Sequence, residues 1–284
     1  MRQIALLGLI VSLFACGGNP ASDSEYVDKM ADQHATDSPE ANPMSAAQEA
    51  AAVSGSEVVY GTIDGTELTG YMAIPEGAVD PLPGVLVIHE WWGLNDNVRA
   101  MTDRLAGEGY RALAVDLYDD QTADTPERAR ELMSAAMEQA DQQVANLTAA
   151  HGFLKDQHQA PATGVMGWCF GGTWTFRTAV ALGDGIDAAV MYYGWPPTDA
   201  EGLTGLTAPL LGLFGEEDGG IPVDSVRAFE TALGEMGADA EIVIYPGAGH
   251  AFANPSGQNY QAKAAEDSWQ RTVAFFDRHL SDLR

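Results

Sequence analysis

The chain of 284 residues carries 41 acidic and 14 basic side chains, a formal net charge of −27, and is 46% apolar. That apolar share is ordinary for a folded protein and excludes wholesale disorder, while the acid excess excludes nucleic-acid binding through a basic surface. Two cysteines, Cys16 and Cys169, cannot make a disulfide framework.

The chain opens on Arg2, an apolar run over residues 4–14, and a small residue before Cys16. This predicts a secretory signal over residues 1–15, since the run is far shorter than the roughly 20 apolar residues that span a bilayer. Leu13-Phe14-Ala15-Cys16 resembles the bacterial lipobox, which implies that Cys16 carries the lipid and that the protein is exported to the cell envelope. Gly17 after the cysteine resembles the pattern of outer-membrane sorting. Residues 16–55 set seven acids against Lys29. Without sustained apolar periodicity they read as a flexible, self-repelling tether.

From residue 56 to 284 the chain alternates strands and helices. Short β-rich runs at 58–60 and 68–74 flank Asp64-Gly65, as in a hairpin. The run at 85–88 is wholly apolar, as expected of a strand buried on both faces. A helical pattern follows through Val98, Met101 and Leu105, and then a strand at 112–117. Thr125-Pro126-Glu127 opens a helical region to about residue 155, broken near Asp141. The remaining elements are strands at 164–168, 188–193, 209–214 and 241–245 and helices at 172–182, 223–236 and 260–283. Repeated βα units of this kind predict one α/β domain, a mostly parallel sheet with helices on both faces.

Between the strand at 164–168 and its helix lies Gly167-Trp168-Cys169-Phe170-Gly171-Gly172. A nucleophile flanked by glycines at this spacing sits in a sharp turn that exposes it at a helix N-terminus, where the dipole favours thiolate. A base follows in Gly249-His250-Ala251, whereas His279 reads as a surface residue. Glu216, Glu217 and Asp218 all follow a strand and could orient that base. Asp218 is chosen because it precedes Ile221-Pro222 and the next helix. After the strand at 85–88 comes His89-Glu90-Trp91-Trp92-Gly93. This loop places the Trp91 N–H beside that of Phe170 as an oxyanion hole. Glu90, between apolar residues, should have a raised pKa and could act as a local base. His89 has no partner at metal-ligand spacing and reads as structural.

These motifs, with Val115-Asp116-Leu117-Tyr118 and Tyr192-Tyr193-Gly194, resemble the dienelactone hydrolase family of α/β-hydrolases from about residue 58 to the C-terminus. The resemblance implies an α/β-hydrolase fold and a Cys169–Asp218–His250 triad, with Glu90 contacting the resting thiol until substrate displaces it. It also implies ester or lactone hydrolysis through an acyl thioester, with no metal and no organic cofactor. Two positions depart from the family pattern. Asp120 and Asn254 stand where arginines would hold a substrate carboxylate, and Asp120 would repel one. A small neutral ester or lactone is therefore expected, in a pocket including Trp92, Asp120 and Asn254, with Arg99 and Arg177 as the cations that could substitute. Trp91, Trp92 and Trp195 could stack on a substrate or fill the core. A thioesterase or polysaccharide deacylase with the same triad, or a ligand-binding lipoprotein without turnover, is the rival reading. The expected partners are the small substrate and, through the lipid, a membrane; the chain is expected to act as a monomer.

Overall fold

A computed structural model describes residues 20–35, 39, 52–197 and 201–281. The signal, Cys16 and the parts of the expected tether at 17–19, 36–38 and 40–51 lie outside the described residues. Strands β1 (Val53–Ile63) and β2 (Thr66–Pro75) form the expected hairpin. Its turn, Asp64-Gly65, takes positive φ at both residues (50° and 86°), the conformation that matches strand twist in a tight hairpin. The strand starts at Val53, so the folded body begins ahead of residue 56.

Strands β3 (Gly84–Ile88), β4 (Arg111–Val115), β5 (Thr163–Trp168), β6 (Ala188–Tyr192) and β7 (Leu210–Gly215) are buried along their whole length, and β8 (Ala240–Tyr245) closes the edge. The eight strands run in the order β1-β2-β4-β3-β5-β6-β7-β8. Every pair from β4 to β8 is parallel, and only the first hairpin and its junction to β4 are antiparallel. Continuous apolar strands are what a sheet covered on both faces requires. The flanking helices are α2 (Asp96–Gly107), α3 (Pro126–Glu138), α4 (Ala140–Gly152), α5 (Phe170–Leu182), α6 (Val223–Met236) and α7 (Ala262–Phe276). Asn95 and Thr125 cap α2 and α3 through side-chain oxygens accepting from Val98 and Arg128. The break between α3 and α4 falls at Gln139 (φ −105°, ψ 40°). Among the described residues no helix is long and apolar enough to cross a membrane.

One expectation fails. Pro20–Gln33, within the predicted tether, form helix α1. Tyr26, Val27 and Met30 make an apolar stripe at helical spacing and are buried at 0–5% exposure. Asp23 pairs with Arg177 of α5, and Asp28 with Arg130 of α3. A short polar helix gains little stability from its own backbone; packing of one apolar face supplies it. Local composition lacked that partner surface.

Candidate active site

Cys169 sits between β5 and α5 with φ 55° and ψ −116°. A non-glycine residue there is strained, and the strain persists only because the surroundings enforce it. They do so by close backbone approach. A Cβ on Gly171 would stand 2.2 Å from the Ile88 carbonyl oxygen, and one on Gly167 would stand 2.5 Å from that of Gly171. The turn is further pinned by the Cys169 N–H donating to Tyr192 O at 3.0 Å.

The loops after β7 and β8 bring the next two groups together. Glu217 N–H donates to Ala248 O at 2.8 Å, tying one loop to the other. Asp218 Oδ2 then lies 2.7 Å from His250 Nδ1. Its other oxygen accepts the N–H groups of Gly220 and Ile221, each at 2.8 Å. Of the three candidate carboxylates it is Asp218 that meets His250, and Glu216 and Glu217 are exposed. Burial disfavours the His250 imidazolium, but Asp218 and the Cys169 thiolate outweigh it and hold the ring's pKa well above the ordinary value. Burial likewise raises the Cys169 thiol, while His250 and His34 more than reverse this and set it at about 6. The geometry thus favours a thiolate–imidazolium pair.

Glu90 accepts from the Tyr193 hydroxyl at 3.2 Å and from the Asn254 amide at 2.6 Å. Desolvation, with the nearby Cys169 charge adding to it, raises its carboxyl from 4.5 to about 7. Asn254, expected in the substrate pocket, is thus a partner of Glu90. A cavity of about 20 Å³ beside them, lined by Glu90, Trp168, Tyr193 and Asn254 among others, holds little more than one water. Trp91 follows β3 and Phe170 opens α5, where the neighbouring Gly171 comes against the Ile88 and His89 carbonyls. Trp92 stands edge-on to Trp91, with centroids 6.1 Å apart. Asp120 lies exposed in the turn after β4, where Thr69 donates to its carboxylate. Arg99 is held by Glu57 and Arg177 by Asp23, so both expected substitute cations already have carboxylate partners.

His89 is structural. Its Nε2 accepts from Leu117 N–H at 3.1 Å, so Nδ1 carries the proton and donates to Glu90 O at 2.7 Å. Burial lowers its pKa to about 4, which keeps the ring neutral.

Three residues of α1 and the turn after it complete the site, and sequence reasoning missed them all. Met30 Sδ lies 3.5 Å from Cys169 Sγ, His34 Nε2 lies 3.9 Å from it and the Tyr26 hydroxyl 4.0 Å. The His34 ring stacks on Trp91 with centroids 5.2 Å apart, and Tyr26 packs on Trp195 at 5.4 Å. Under this cover Cys169 is 1% exposed. The signal was the spacing Tyr26–Met30–His34, four residues apart each time, in an otherwise acidic segment.

A strained cysteine between a parallel strand and its helix, followed in chain order by an acid and a histidine on successive strand-end loops, defines an α/β-hydrolase. The chain belongs to the dienelactone hydrolase family, whose profile matches residues 68–280. Protein usf of Aquifex pyrophilus is 35% identical over 225 residues, covering 77% of this chain and 96% of that protein. The protein named Putative carboxymethylenebutenolidase in Escherichia coli strain K12 is 35% identical over 233 residues, with coverages of 76% and 84%. The solved structure named Putative Dienelactone Hydrolase from Klebsiella pneumoniae shares 31% identity, with coverages of 80% and 99% and a TM-score of 0.72. The chain is accordingly a hydrolase of carboxylic ester or lactone bonds.

Proposed function

We propose that the chain cleaves small, neutral esters or lactones through an acyl thioester on Cys169. The observation that carries this reading is the buried Asp218–His250 pair at 2.7 Å, set against a cysteine held in a strained turn. The thiolate attacks the carbonyl carbon, and the oxyanion is met by the N–H groups of Trp91 and Phe170. The tetrahedral intermediate then collapses, and His250 passes its proton to the departing alkoxide. Water attacks the thioester with His250 now as base, releasing the acid and restoring the thiol. Asp218 keeps Nε2 of the ring directed at the reaction and stabilises the imidazolium. Glu90 tunes the resting thiol through its charge, from its seat on Tyr193 and Asn254.

The neutral preference follows from charge. Asp120 and Asn254 replace the cations that a carboxylate would need, Arg99 and Arg177 are engaged elsewhere, and the whole chain carries −27. Because Tyr26, Met30 and His34 cover Cys169, substrate reaches it only when α1 shifts. Cys16 is proposed to be lipidated and to hold the enzyme on the periplasmic face of the envelope, with the monomer as the working unit.

The test is turnover of p-nitrophenyl acetate, a neutral lactone and an acyl thioester by wild type and Cys169→Ala. Hydrolysis of the first two that is lost in the variant supports the reading. A variant with full activity, or a wild type acting on the thioester alone, contradicts it.

A further inference from the structure

The contacts that bury Cys169 also assemble a set of metal-ligand atoms. The ligand nitrogens of His34 and His250 and the Cys169 sulfur all lie within 4.8 Å of one another, and all three residues are buried. Met30 Sδ stands 3.5 Å from Cys169 Sγ. In a four-coordinate site with metal–sulfur bonds of about 2.3 Å and metal–nitrogen bonds of about 2.0 Å, neighbouring donors stand roughly 3.5 Å apart. With the three donors within 4.8 Å of one another, closing on an ion requires a contraction of up to about 1.3 Å.

The orientation of the two rings suits an ion. His250 Nε2 is buried with the Cys169 sulfur as its charge partner, while Nδ1 of the same ring is fixed by Asp218. A carboxylate on one imidazole nitrogen is the arrangement that orients the other toward a metal. His34 is also fixed, by its stack on Trp91. The donor set identifies the ion. One thiolate, one thioether and two imidazoles form a soft group, and thiolate with thioether selects copper over hard cations, which take carboxylate and carbonyl oxygens. No ligand spacing in the sequence signals this set, because His34 and Cys169 lie 135 positions apart.

We propose that Met30, His34, Cys169 and His250 form a binding site for a copper ion, taken up as Cu(I), that fastens α1 over the nucleophile and holds hydrolysis off. Two ligands come from α1 and the turn after it and two from the catalytic body, so the ion cross-links the cover to what it covers. Binding displaces the single proton shared by the Cys169–His250 pair. Copper stays Cu(I) throughout, so no oxidant is needed. The site shares two residues with the proposed triad but does not rest on turnover, since affinity is measured without substrate.

The experiment uses the purified full-length chain under anaerobic conditions, with Cu(I) delivered as its complex with bicinchoninate, a coloured competing chelator. Wild type is expected to withhold one Cu(I) per chain, and Cys169→Ser to withhold none. Met30→Leu and His34→Ala are each expected to weaken binding roughly tenfold or more; thermal unfolding of each variant confirms that it is folded. A wild type that withholds no copper overturns the proposal. So does unchanged affinity in both Met30→Leu and His34→Ala, which would leave only the Cys169–His250 pair as ligands. Zn(II), followed with a zinc indicator, should bind more weakly than Cu(I); equal or tighter binding overturns the assignment to copper. Hydrolysis of a neutral ester by the metal-free wild type is scored separately, so this proposal and the catalytic one fail independently.

Discussion

His34 Nε2 stands 3.9 Å from Cys169 Sγ, across 135 residues of sequence. A segment read as a spacer thereby supplies part of the active-site wall. On the proposed mechanism, access to the Cys169 thiol then depends on how firmly α1 is held. Arg177 and Arg130 are the anchors, paired with Asp23 and Asp28.

Loosening those anchors should expose the thiol. The double variant Asp23→Ala, Asp28→Ala is expected to raise the rate of Cys169 alkylation by iodoacetamide several-fold. The Arg177–Asp23 pair should dominate, because both side chains are largely buried whereas those of Arg130 and Asp28 are not. An unchanged rate would mean that α1 does not limit access.

Asp218 meets His250 Nδ1, which in the proposed mechanism orients the base, and it also satisfies two loop N–H groups. Asp218→Ala should therefore lower kcat by about 10³–10⁴. It should also destabilise the fold by about 1–3 kcal/mol, because the Gly220 and Ile221 donors lose their acceptor in a buried loop. Steady-state kinetics and denaturant unfolding read the two effects. A loss of stability without a loss of kcat would make Asp218 purely structural.

Much of this was legible in the sequence because it rests on local rules. Gly167 and Gly171 bracket Cys169 because any Cβ there meets backbone, and uninterrupted apolar strands announce a covered parallel sheet. Asp218 could not be singled out from its neighbours by residue type. Its identity lies in the loop's direction, fixed by the Gly220 and Ile221 N–H bonds. Asn254 was assigned to the substrate pocket; its bond to Glu90 crosses 164 residues and has no local signal in the sequence. Helix α1 was invisible for a related reason. Its stripe of Tyr26, Met30 and His34 has meaning only against Cys169, Trp91 and Trp195, and the acidic residues between them match a solvated linker.

Glu90 should leave a signature in stability against pH. Burial raises its carboxyl from 4.5 to about 7, so the folded state retains a proton that the unfolded chain has lost in that window. Stability is lost as pH rises through it, by up to about 3 kcal/mol relative to a neutral side chain. Denaturant unfolding of wild type and Glu90→Gln should diverge between roughly pH 5 and 8 in the variant's favour. Parallel profiles would show that Glu90 ionises normally.

Substrate charge offers another check. A neutral lactone should be hydrolysed with a kcat/KM roughly tenfold or more above that of an anionic lactone of similar size. Asp120 and Asn254 provide no bidentate cation to offset the desolvation of a carboxylate. Equal values would show that a cation other than Arg99 or Arg177 reaches the substrate.

The central claim is that Cys169 carries the acyl group. Intact-protein mass spectrometry of enzyme quenched in acid during turnover of a p-nitrophenyl ester measures it directly. The account predicts an added acyl mass that maps to the peptide containing Cys169, is released by hydroxylamine and is absent from Cys169→Ala. Turnover at the wild-type rate by Cys169→Ala, or an acyl group mapped to another residue, would contradict it.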